Sequence, residues 1–258
     1  MSSPKWRQSQ AKGYLRPSTS ELLPGVTTLI KKLDPDPGPL IGWATKLTAE
    51  AAEKTREDWE QLKTRAEAVS LIKSQARADQ DLKRDIGKRV HDFIEEALRA
   101  DLAGERRADW PASAQPYLRA LEAFQADTGW IPRTVETTVI GLGYAGTYDA
   151  LGDLPNGTQV LLDWKTGSVR AAAAAQLMLY RAAGIVLHDD GSETVAPEAD
   201  ELWIVQILPG DYEIWRVHPA CETDTLQLIA SLLTLHEWDA ASDRMMDQQD
   251  KPNRTLTD

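Results

Sequence analysis

The chain is short of several residues and motifs that would settle its chemistry early. It has one cysteine, Cys221, in 258 residues. That excludes an internal disulfide, and it excludes a four-cysteine zinc site or iron–sulfur cluster built within one chain. Cysteine–histidine nucleophilic catalysis would rest on this single thiol. No apolar run approaches the ~18 residues of a membrane span, and the polar start, Met1 to Gln10, lacks the apolar segment of a secretory signal. A reducing cytoplasm is the expected location. Glycine-rich phosphate cradles are missing too. There is no P-loop and no Gly-x-Ser-x-Gly. Gly141-Leu142-Gly143 lacks the third glycine and the following helix, and reads as a turn. Positive charge is scarce: 29 Lys and Arg stand against 40 Asp and Glu, a net charge of −11. That balance argues against a protein that merely coats nucleic acid.

What is present is unevenly spread. Residues 1–107 hold 20 basic and 17 acidic side chains, whereas residues 108–258 hold 9 and 23. The first part can present a basic face while the second repels phosphate. Residues 1–20 are polar and expected to be flexible, as are residues 241–258. Val26 to Ile30 is a β-branched run and is expected to be a short strand. From Leu40 to about Gln80, good helix formers and the spacing of Trp43, Leu47, Trp59, Leu62, Val69 and Ile72 predict two helices. Asp85 to Ala103 predicts another helix, closed by Gly104, and Pro111 to Ala126 a further one. From Val135 the period changes to two. Strands are expected at 135–140, 144–154 and 159–165, then a helix at 171–186. A hairpin of 201–208 with 212–217 and a final helix from Thr223 follow. This order implies a layered α/β or α+β domain over residues 21–240, with a helical part at about 40–128 and a sheet-bearing core at about 133–220.

The most informative stretch is Leu161-Leu162-Asp163-Trp164-Lys165-Thr166-Gly167. On a strand, Asp163 and Lys165 share one face, while Val160, Leu162 and Trp164 share the other. A carboxylate beside an ammonium can bind a divalent cation and position the water it activates, or it can be a surface ion pair. Asp149 lies on the preceding strand, and an antiparallel neighbour can bring it to the same edge. Two such carboxylates repel unless a proton or a hard cation lies between them. His91, beside an apolar helical stripe, is either a packed histidine or a ligand that favours manganese over magnesium. Glu136 is an edge-strand acid or a further metal or water partner. Gln176 and Tyr180 share a helical face and suit either a phosphate or base contact, or a core edge.

Taken in order, GKRVHDFIEEAL (87–98), GTYDALGDL (146–154), LLDWKTG (161–167) and QLMLY (176–180) resemble the PD-(D/E)XK nuclease superfamily, in its RecB-like, CRISPR-associated and phage exonuclease branch. GVTTLI (25–30) resembles the segment that often opens such domains. The resemblance implies a restriction-endonuclease-like core, a central mixed sheet flanked by helices and preceded by a helical part. It implies a metal-dependent DNA exonuclease in phage or bacterial recombination or repair. His91, Asp149 and Asp163 would hold Mg2+ or Mn2+, with no iron–sulfur cluster. Asp149, Asp163, Lys165 and Glu136 would be the catalytic set, and Gln176 and Tyr180 would contact DNA. A single-strand annealing recombinase is the implied partner. Two other functions fit the residues: an inactive DNA-binding or interaction module on a nuclease scaffold, and a structure-specific endonuclease.

Overall fold

A computed structural model of the chain describes residues 13–33, 38–222 and 224–242. A two-stranded antiparallel ribbon, β1 (Tyr14–Arg16) with β2 (Glu21–Leu23), leads into α1 (Val26–Ile30). Helices α2 (Gly38–Lys54), α3 (Arg56–Trp59), α4 (Arg65–Ala103) and α5 (Gln115–Thr128) follow. Then come β3 (Ile131–Gly141), β4 (Tyr144–Asp153), β5 (Gln159–Lys165), α6 (Ala171–Ala182), β6 (Ile185–Leu187) and β7 (Glu193–Val195). The hairpin β8 (Glu201–Leu208) and β9 (Asp211–Arg216), then α7 (Thr225–Ser242), complete the order.

Strands β3 to β9 form one sheet in the order β7-β6-β3-β4-β5-β8-β9. Every neighbouring pair is antiparallel except β5 and β8, which run parallel and are joined through α6. The chain is thus a mixed α+β fold with a central mixed sheet flanked by helices and a helical N-terminal part, the class expected from its sequence. No helix among the described residues is long and apolar enough to cross a membrane.

Two cores lie on opposite faces of the sheet. On one, α1, α6 and α7 pack against Val139, Leu151, Leu161, Leu202 and Ile204. On the other, α4 and α5 pack against Ala150, Val160, Leu162, Trp164, Trp203 and Val205. Strand β5 alternates between them as its sequence requires. The second core is aromatic: Phe124 meets Trp164 edge-on at 5.4 Å, and Trp130 meets Trp164 at 6.0 Å.

Four local expectations are corrected. Val26 to Ile30 is helical, not extended: Val26, Leu29 and Ile30 are buried at helical spacing against α6, and that packing overrides β-branched propensity. Helix α4 is one 39-residue element where two were expected. It starts at a Thr64–Glu67 capping box and ends at Gly104 in the left-handed conformation. Nothing between Gln80 and Asp85 breaks it. The helix expected at 171–186 stops at Ala182, and Ile185–Leu187 joins the sheet beside β3. Finally, part of the N-terminal stretch read as flexible is structured. Tyr14–Arg16 pairs with β2, and Arg16 grips Glu193 with two hydrogen bonds. The rest of both terminal expectations, residues 1–12 and 243–258, lies outside the described residues.

Candidate active site

The site follows from strand register. Between β3 and β4, the pairs Val135↔Ala150 and Thr137↔Tyr148 leave Glu136 opposite Asp149. Between β4 and β5, the last pair is Ala150↔Leu162, so the next position sets Asp149 opposite Asp163. Directly opposed residues on antiparallel strands point to the same face. Asp149 and Asp163 therefore share one face, while Glu136 departs from regular strand geometry at φ +47. The ladder then forks, because β5 continues along β8 while β4 stays with β3. At the fork the Trp164 N–H donates to Asp149 Oδ2 at 2.7 Å. A side chain thus takes a main-chain donor that a regular ladder would have used.

A cavity of about 240 Å³ opens at this fork. His91, Glu136, Asp149, Asp163, Lys165, Gln176 and Tyr180, all seven candidates, line it. Gly13, Tyr14, Gly25, Val26, Thr27, Gly146 and Thr147 complete its wall. None of this second group was expected at the site, although Gly25 to Thr27 and Gly146 and Thr147 lie in the motifs GVTTLI and GTYDALGDL. Thr147 carried a signal, since it lies two residues before Asp149 on an alternating strand. Tyr14 carried none; its hydroxyl pairs with Thr147 Oγ1 at 3.2 Å, and Thr147 with Thr138 Oγ1 at 3.0 Å.

Each side chain has an identifiable support. Helix α4 buries Val90, Ile94, Ala97 and Leu98, which holds His91 at the margin of that core. A Cβ on Gly87 would stand 2.8 Å from Thr166 Oγ1, so the missing side chain lets α4 meet the end of β5. His91 Nδ1 lies 3.8 Å from Asp149 Oδ2. Asp163 is 1% exposed and is no surface ion pair. Lys165 Nζ stands 2.5 Å from its Oδ2, a short ionic contact that compensates the buried carboxylate. Lys165 Nζ also reaches Gln176 Oε1 at 3.5 Å, and Gln176 Nε2 donates to the Tyr180 hydroxyl at 2.9 Å. Glu136 adopts φ +47, a left-handed backbone that costs a non-glycine residue about 1–2 kcal/mol.

Burial dominates the electrostatics. It raises the proton affinity of both Asp149 and Asp163. The Asp149 charge raises Asp163 further, while the Lys165 ammonium and the Trp164 N–H pull Asp149 back. Burial and the Lys165 charge lower His91, which favours the neutral imidazole a metal needs. Tyr180 is held well above its ordinary value by burial and keeps its proton.

Two carboxylates and an imidazole nitrogen are a donor set of the kind that divalent manganese, iron or zinc accepts. Among the described residues, no three His, Cys, Asp or Glu side chains stand close enough to hold an ion as they are. The Lys165 ammonium provides the positive charge beside Asp163 in this arrangement.

No protein-family model matches the chain, and no curated protein matches it. Among solved structures, the chain is similar to the crystal structure of SSO0001, with a TM-score of 0.29 and 15% identity over 48% of this chain and 59% of that one. The chain thus spans less than two thirds of that protein's length.

Proposed function

We propose that the chain is a metal-dependent deoxyribonuclease of the PD-(D/E)XK type, acting as an exonuclease on linear DNA. One observation carries this reading: the buried Asp163, the half-buried Asp149, His91 and Lys165 meet in one cavity at the sheet fork. His91, Asp149 and Asp163 would hold Mg2+ or Mn2+. When bound, the ion lowers the pKa of a water and offsets charge building on the scissile phosphate. Lys165, fixed beside Asp163, orients the attacking water and faces the phosphate with positive charge. Burial keeps competing water out and strengthens each charge interaction. Glu136, opposite Asp149, supplies a further acceptor for water at the cavity wall. The setting we propose is DNA recombination or repair in a bacterial or phage-infected cytoplasm, with an annealing recombinase as partner.

The decisive experiment incubates purified protein with end-labelled linear DNA and manganese, beside Asp163→Ala and Lys165→Ala. Nucleotide release by the wild type alone is the expected result. Equal release by all three would trace activity to a contaminant and end the proposal. Covalently closed circles should survive; their cleavage would point to a structure-specific endonuclease instead.

A further inference from the structure

Gln176 and Tyr180 have surroundings that suit direct contact with a nucleic-acid strand poorly. They are 7% and 4% exposed. Both lie on α6, whose Ala173 and Ala175 are buried, so the helix sits close to the sheet. The Tyr144 hydroxyl donates to Leu179 O at 2.7 Å and pins that turn of the helix to β4. Gly146 completes the fit, since a Cβ there would stand 2.6 Å from Tyr180 Cε1 and 2.9 Å from Val26 Cγ2. The Tyr180 ring is therefore wedged between α1 and β4, with Tyr148 edge-on at 6.5 Å.

The hydrogen bonds run in one direction. An ammonium has only donors, so the Gln176 amide must turn its oxygen toward Lys165. Its nitrogen then faces the Tyr180 hydroxyl, which accepts at 2.9 Å. With Tyr180 immobile, the amide has one favoured orientation, and that orientation presents an acceptor to Lys165 at 3.5 Å. Asp163 holds the same ammonium from the other side at 2.5 Å. A lysine has four rotatable side-chain bonds and moves freely unless its end is held at more than one point.

We propose that Tyr180 and Gln176 form a positioning relay that fixes the Lys165 ammonium against Asp163, in place of the strand contact the family resemblance implies for them. Its catalytic consequence rests on the nuclease reading above; the relay itself is a property of the folded chain. Neither residue touches the reacting atoms. Both set where the lysine stands.

The test uses the full chain and two readouts. The first is reductive methylation of lysines, with modification at Lys165 followed by mass spectrometry. Lys32, paired with Asp239 and not part of the cavity wall, reports on global folding. Gln176→Leu and Tyr180→Phe should each speed modification of Lys165 several-fold and leave Lys32 unchanged. Gln176→Glu keeps an acceptor toward Lys165 and should restore slow modification. The second readout is steady-state cleavage of linear DNA. Gln176→Leu should lower kcat about 10- to 100-fold, with KM held within about twofold. Tyr180→Phe, which removes one oxygen and keeps the wedge, should do the same to a smaller degree. Unchanged Lys165 modification in both variants overturns the relay, whether or not DNA is cut. A raised KM at constant kcat overturns it too, and returns the pair to strand binding. Faster Lys165 modification in the two variants, alongside a wild type that cuts no DNA, upholds the relay and sinks the nuclease assignment.

Discussion

The two faces of β5 share one backbone and differ in everything else. Toward α4 and α5 it presents Val160, Leu162 and Trp164, sealed among aromatic rings. Toward α6 it presents Leu161, then Asp163 and Lys165, which open into a cavity lined by polar groups. The apolar face is a stability device, because close-packed surface contributes roughly 25 cal/mol per Å² buried. The polar face buries a carboxylate at a cost, and such sites persist where function requires them. The contrast teaches that the rigid half holds the strained half in place.

Substitutions should separate the two faces cleanly. Asp163→Ala is expected to reduce DNA cleavage at least about 10³-fold while the metal-free protein melts no earlier than the wild type. Nucleotide release and differential scanning calorimetry measure both. Loss of stability together with activity would mean that the faces are not independent. Trp164→Ala should do the reverse. It removes a ring packed on Phe124 and Trp130 and should cost about 3–5 kcal/mol in denaturant unfolding, with the carboxylates intact.

A pH series sharpens the contrast. The ordinary carboxyl value is 3.8, and both Asp149 and Asp163 are raised above it in the fold. Between that value and the raised ones, about 6 for Asp149 and about 7 for Asp163, the folded chain binds more protons than the unfolded one. The stabilisation these groups give to the metal-free protein is therefore present below about pH 4 and is lost as pH rises toward neutrality. Asp163→Asn should flatten that decline, gaining about 1–3 kcal/mol near pH 7. Millimolar Mn2+ should raise the wild-type melting temperature at pH 7 and leave Asp149→Asn unmoved. An effect of the same size as that of Asp163→Asn but opposite sign is expected at Gly146→Ala, where the added methyl meets Tyr180 and Val26. About 1–3 kcal/mol of overpacking is predicted, read from thermal melting.

Much of this arrangement was legible in the chain. The alternation around Asp163 and Lys165 gave β5 its bounds, and the period-two pattern placed Asp149 on its neighbour. The site residues could be chosen because acids and amides interrupt otherwise apolar periods. What escaped was non-local. Val26 to Ile30 reads as extended until α6 is present to bury it as a helix. Ile185–Leu187 is too short to announce itself, and it becomes a strand only because β3 offers an open edge. The backbone of Glu136 also went unforeseen. A regular strand would carry it with Thr138, but its backbone is left-handed, in a strand whose register also slips between Pro132 and Thr134. Tyr14 joins the cavity across more than a hundred residues of chain, beyond any local pattern.

The Trp164 amide has a consequence of its own. Its hydrogen goes to the Asp149 carboxylate, while its indole is locked among the rings behind the sheet. One residue thus hears from both sides of β5. Protonating or ligating Asp149 weakens its hold on that hydrogen, so the 164 amide resonance is a built-in gauge of what occupies the fork, read without any added label.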